Sequence, residues 1–125
     1  MSDAVYLISS FGFKHGLPDD ADYVFDVRCL SNPYWVDEMR ALCGLDKAVD
    51  EYVFADKAAL EYLDSVVLVL KNNYRLNSDK YKNVYIGCTG GQHRSVAFAE
   101  RLYKELCNFG IKCRINHREY ERFKK

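Results

Sequence analysis

At 125 residues the chain has the size of one domain, long enough to bury roughly two thirds of its unfolded surface around a single core without disulfides or metals. Apolar residues at 49% and charged residues at 29%, with two prolines and seven glycines, exclude a disordered or collagen-like chain. Eighteen basic side chains balance eighteen acidic ones, yet residues 1–86 carry nine against fourteen and residues 87–125 nine against four, net charges of −5 and +5.

Ala4–Phe11 is rich in β-branched and aromatic residues and runs into the turn-prone Gly16-Leu17-Pro18-Asp19-Asp20, which predicts a strand followed by a loop. Tyr23–Arg28 reads as a second strand. Both runs alternate little, as expected of parallel strands covered on two faces. Ser31-Asn32-Pro33 breaks the chain, and short helices are expected at 34–42 and 46–54, the second capped by Asp46.

Leu60, Leu63, Val66, Val67, Leu70 and Tyr74 fall at helical spacing behind Asp56, so a capped helix is predicted over 57–74. Asn83–Cys88 reads as a strand. Val96, Ala99, Leu102, Tyr103 and Leu106 mark a helix closed by Gly110, and Ile111–Ile115 reads as a last strand before a basic tail. Strands alternating with helices predict an α/β fold, a mainly parallel sheet flanked by helices in one domain spanning 1–125, with a basic C-terminal segment at 111–125. The longest strongly apolar run, Val66–Leu70, is too short to span a bilayer, and Met1-Ser2-Asp3 lacks the basic start of a secretory signal. Five cysteines without a C-x-x-C pair favour a reducing, cytoplasmic setting over a disulfide framework or a zinc knuckle. No membrane, metal or cofactor is expected.

Between a predicted strand and helix lies Gly87-Cys88-Thr89-Gly90-Gly91-Gln92-His93-Arg94-Ser95, where α/β proteins bind ligands beyond the strand ends. Gly90 and Gly91 permit positive φ and turn amides toward one point, and the following helix adds the positive end of its dipole. Arg94 is suited to a bidentate fork on phosphate, and Thr89, His93 and Ser95 supply further donors. The loop is neither a Walker A nor a dinucleotide motif, so ATP hydrolysis is unsupported. It does match the C-x5-R pattern of cysteine-dependent phosphatases, with Cys88 as thiolate nucleophile, Arg94 as anion clamp and Asp19, Asp20 or Asp22 as acid. That pattern carries a histidine before its cysteine; this chain has Gly87. The alternatives at this point are a ligand cup without chemistry, a cysteine phosphatase, or a plain Gly-rich turn.

Lys112, Arg114, His117, Arg118, Arg122, Lys124 and Lys125, interleaved with Tyr120 and Phe123, suit phosphate contact and base stacking, which predicts salt-sensitive RNA binding. Glu119 and Glu121 dilute the pattern.

Three blocks, SSFGFKHGLPDDADYVFDVRCLSNPYW at 9–35, GLDKAV at 44–49 and IGCTGGQHRSV at 86–96, resemble the C-terminal domain of RapZ-type RNase adaptor proteins in order and spacing. The resemblance implies a phosphofructokinase-subdomain-like fold. It further implies a domain that binds glucosamine-6-phosphate without chemistry, sensing an amino sugar, and presents a small RNA to an endoribonuclease. Carried over by position, the sugar-phosphate ligands are Lys14, Arg28, Asn32, Thr89, Gly90, Gly91, His93 and Arg94; by residue chemistry Ser95 adds a donor in the cup and Asp26 or Asn32 suits sugar hydroxyls. RNA contacts fall to Lys112, Arg114, Arg118, Arg122, Lys124 and Lys125, and a homodimer is a further expectation. Taken singly, Lys14 has the plainer role of a solvated lysine and Arg28 that of a partner for Asp26 or Asp22. Where the family has Asn-Pro-His-Trp this chain has Asn32-Pro33-Tyr34-Trp35, so a sugar contact of that histidine would pass to the Tyr34 hydroxyl. The Walker A domain of the family's larger members is not represented in this sequence.

Overall fold

A computed structural model describes residues 4–76 and 80–125. Four strands, β1 (Val5–Gly12), β2 (Tyr23–Asp26), β3 (Tyr81–Cys88) and β4 (Cys113–His117), form one parallel sheet in the order β2-β3-β1-β4. The register pairs Gly12 with Cys88 and Ser10 with His117, so the ends of β3, β1 and β4 lie side by side. Helices α1 (Asp37–Arg40), α2 (Lys47–Val53), α3 (Lys57–Tyr74), α4 (Arg94–Asn108) and α5 (Tyr120–Phe123) complete the domain.

The strand order explains how the layers form. Steps from β2 to β3 and from β3 to β4 run the same way across the sheet, and right-handed crossovers put α3 and α4 on the same face. Tyr6 and Ile8 of β1, Val84 and Ile86 of β3, Leu63, Val66 and Leu70 of α3, and Phe98, Leu102 and Leu106 of α4 make the core there, each at most 2% exposed. The step from β1 to β2 runs the other way and has no α-helix, only residues 13–22 with a 3-10 turn at Phe13–His15. The expected two-sided burial is therefore not found: Leu7, Ser9 and Tyr85 are half-buried, and Val24, Arg114 and Asn116 are exposed. Only the C-terminal end of that face is closed, where the Phe13 ring packs on Phe11, centroids 4.8 Å apart.

Local chemistry sets the boundaries. Helix α3 covers the predicted 57–74, and the Asp56 carboxylate accepts the Ala58 amide at 2.9 Å. Helix α4 ends on Gly110, φ 79°, with the Gly110 amide donating to the Cys107 carbonyl and the Ile111 amide to that of Leu106. That motif uses residues 110 and 111, so the last strand starts at Cys113 rather than Ile111. The predicted helix at 34–42 is broken into a 3-10 turn, Pro33–Trp35, capped by Asn32, and α1, because Val36 between them is extended. Asp46 stands at the start of α2, but its carboxylate accepts the Cys43 amide instead of capping the helix. β2 stops at Asp26, whose carboxylate takes the Arg28 amide in a turn.

Candidate functional site

Beyond the ends of β1 and β3 lies a cleft of about 630 Å3, lined by Lys14, His15, Asn32, Tyr34, Trp35, Cys88, Thr89, Gly90, Gln92, His93, Arg94, Arg122 and Phe123. Its floor is the loop between β3 and α4, and close packing shapes that loop. Gly91 has φ 76°, and a Cβ there would stand 2.6 Å from both Glu119 Cγ and the Gly12 amide nitrogen. Gly90 has no such constraint, so positive φ is used at only one of the two positions expected to take it. Main-chain bonds from Lys14 to the Thr89 carbonyl and from Gly44 to the Gln92 carbonyl fix both flanks.

Two of the loop's side chains are tied to the segment before α2. Gln92 donates to the Arg40 and Leu42 carbonyls, and His93 donates from Nε2 to the Met39 carbonyl at 3.1 Å. Burial pushes the His93 imidazole below its usual pKa, which keeps it neutral with its proton on Nε2. Among the described residues the amides of Gly90, Gly91, Gln92 and His93 donate to no acceptor, and the first amides of α4 lack intrahelical partners as in any helix.

Arg94 is 6% exposed. Its Nη1 donates to the Arg28 carbonyl at 2.6 Å and to that of Leu30 at 3.4 Å, and its Nη2 makes only a long contact of 3.5 Å to Thr89 Oγ1. Its Nε is buried with no hydrogen-bond partner among the described residues. An unpaired buried donor costs about 1–3 kcal/mol, so this residue of the cleft lining carries an unmet hydrogen-bonding demand. Lys14 and Arg122 add positive charge, and no described aspartate or glutamate lines the cleft. Such a cup attracts an anion.

The sequence profile of the RapZ C-terminal domain matches residues 5–121. This chain belongs to the RapZ C-terminal domain family. A nucleotide-binding protein of Thermobifida fusca is 47% identical over 118 residues, 92% of this chain and 40% of that protein. One of Nocardioides is 45% identical over 118 residues, 92% and 39% of the two chains. One of Mycolicibacterium paratuberculosis is 51% identical over 102 residues, 79% and 33% of the two. The chain thus spans about 40% of the length of these relatives.

Of the ligand residues that the RapZ resemblance implies, Lys14, Asn32, Thr89, Gly90, His93 and Arg94 line the cleft. Arg28 does not. Its guanidinium pairs with Asp26 at 2.7 Å and lies 4.0 Å from the centre of the Phe13 ring, while its carbonyl holds Arg94. That ion pair holds the Asp26 carboxyl below the usual carboxylate range, though both side chains are nearly half exposed. Gly91 lies beneath the cup, and Ser95 is buried with its Oγ accepting from Cys88 Sγ at 3.1 Å.

The basic segment is folded rather than a free tail. Arg118 donates to the Gly16 carbonyl and to Glu119, Arg122 pairs with Glu119, and Lys124 pairs with Glu121. His117 hydrogen-bonds Ser10 Oγ through Nδ1 and donates to Glu100 from Nε2, fixing β4 to β1 and α4. Lys112, Arg114 and Lys125 are exposed. Sequence reasoning did not place Arg122, Phe123, Gln92, His15 or Trp35 in the cleft. Trp35, 75% exposed at the rim beside Tyr34, had its place within the family block as a signal; Arg122 had none, since the pairing of β4 with β1 brings it there.

Proposed function

We propose that the domain is a non-catalytic sensor that holds a phosphorylated amino sugar, glucosamine-6-phosphate or a close relative, in this cleft. The observation that carries the proposal is the buried, unpartnered Arg94 Nε beside Lys14, free loop amides and an absence of lining carboxylates. The phosphate would take the amides and Arg94, and the sugar would lie toward Asn32, Tyr34 and Trp35. Without a carboxylate in the cleft, a sugar ammonium would be read by carbonyl oxygens or by the aromatic faces of Tyr34 and Trp35.

Hydrolysis by Cys88 has less support. The thiol lines the cleft but is 3% exposed and points its proton at Ser95. Asp22 accepts the Asn83 amide, five residues or roughly 16 Å down β3 from Cys88, and Asp20 accepts from the Tyr85 hydroxyl. Neither lines the cleft as a general acid. Presentation of RNA to an endoribonuclease extends the proposal to the whole protein, with exposed Lys112, Arg114 and Lys125 as the phosphate contacts.

Calorimetric titration tests the sugar-phosphate proposal. Glucosamine-6-phosphate should bind more tightly than glucosamine. Arg94→Ala should cost about 2–3 kcal/mol of binding, a loss of roughly 30- to 150-fold, in a protein that circular dichroism shows to be folded. Unchanged affinity in that variant, or turnover of a chromogenic aryl phosphate abolished by Cys88→Ser, would sink it.

A further inference from the structure

The C-terminal segment after β4 runs back under the cleft, and one carboxylate organises it. Glu119 is 4% exposed. Its Oε2 accepts the Gly12 amide at 3.0 Å and Arg118 Nε at 2.9 Å, and its Oε1 accepts Arg122 Nε at 3.1 Å. Its Cγ fills the space that a side chain on Gly91 would need. One residue therefore touches the end of β1, the floor of the anion loop and a guanidinium on the cleft wall.

Arg122 is held at one end only. Nε is engaged by Glu119, which leaves both terminal nitrogens with no acceptor among the described residues, on a side chain that is 59% exposed and lines the same cleft as Arg94. A guanidinium tethered through Nε presents its two remaining nitrogens as a fork, the geometry that matches two oxygens of a phosphate. Phe123, its neighbour on the same wall, is half-buried.

We infer that Arg122 is a second ligand-contacting guanidinium of this site and that Glu119 is the positioning residue that aims it. The inference rests on the sugar-phosphate reading given above and deepens it, because α5 becomes a wall of the binding site. The dianion is then gripped from two sides, by the loop amides with Arg94 below and by Arg122 across the cleft. Glu119 does not line the cleft; it acts on the ligand through Arg122.

The test is calorimetric titration of glucosamine-6-phosphate and of inorganic phosphate into the wild-type domain and four variants. Arg122 is exposed, so Arg122→Ala should fold, and both ligands should bind it roughly tenfold more weakly, a partly solvated charged hydrogen bond lost. Arg122→Lys keeps the charge without the fork and should recover only part of that loss. Glu119→Gln should weaken binding several-fold in the wild-type background and have no effect on affinity in the Arg122→Ala background, since the two act as a unit. A Glu119 with a purely structural role would lower the melting temperature and leave affinity unchanged, which would overturn its part. If Glu119→Gln does not fold, the two Arg122 variants decide the question. Wild-type binding with unchanged affinity in Arg122→Ala overturns the inference alone, whereas a wild-type domain that binds neither phosphate compound overturns the sugar-phosphate reading with it.

Discussion

Gly90 and Gly91 are adjacent, identical in composition and unequal in consequence. An alanine at 90 meets nothing nearer than Lys14 Cε at 3.9 Å and asks for no unusual backbone angle, so Gly90→Ala should change stability by less than about 0.5 kcal/mol. An alanine at 91 must hold φ near 76° and clear Glu119 Cγ and the Gly12 amide nitrogen, both backbone-fixed or buried. Gly91→Ala should therefore cost about 1–3 kcal/mol in urea unfolding and should also weaken phosphate binding, because relief of the clash moves the loop. Equal unfolding midpoints for the two variants would mean that the loop is not seated on Glu119 as described. The same logic separates Arg28 from Arg94. Both are arginines of the family blocks, but only the second is buried at the cleft, and the first contributes its carbonyl.

At the scale of elements, the signals that worked were local and self-contained. Helix α3 was legible to the residue because its apolar spacing is unbroken and Asp56 caps it, and the end of α4 because Gly110 takes a positive φ. Asp56→Ala should lower stability by about 1 kcal/mol, or the melting temperature by roughly 4 °C, while Asp56→Asn, which still caps, should change it little. A melting temperature unmoved by alanine would show that the cap is idle. Where the reading failed, a neighbour competed for the same atoms. Asp46 gives its carboxylate to Cys43, and the closing motif of α4 takes Ile111, the first residue assigned to β4. The loop was legible as the floor of a cleft from its glycines and its position after a strand. The opposite wall of the cleft was not, since nothing within residues 118–123 says that Glu119 will be buried under a loop nearly thirty positions earlier. Basic residues in that stretch read as RNA contacts, and pairing of β4 with β1 turned part of it inward.

On the scale of the whole molecule, two buried titratable groups tie the halves of the domain together, and both make it more stable at neutral pH than in acid. His93 joins the loop to Met39 before α2, and burial holds its folded pKa below the ordinary imidazole value. The unfolded chain then binds the proton more readily, so stability is complete above about pH 6.5 and is lost as pH falls through the folded value. Glu119 joins the C-terminal segment to β1. Burial alone would raise its carboxyl, but the Gly12 amide, Arg118 and Arg122 hold it below the usual carboxylate range. Its contribution is present above about pH 4.5 and disappears only in stronger acid. Urea midpoints measured from pH 8 downward should therefore decline in two stages, the first below about pH 6.5 and the second below about pH 4.5. Phosphate itself titrates near the first stage, so the measurement belongs in a buffer without it. His93→Gln keeps a donor for the Met39 carbonyl and has no proton to gain, so it should flatten the first stage and leave the second. Glu119→Gln should do the reverse, at lower stability throughout. A first stage that survives His93→Gln would mean that the bond from His93 to Met39 does not couple the loop to the segment before α2.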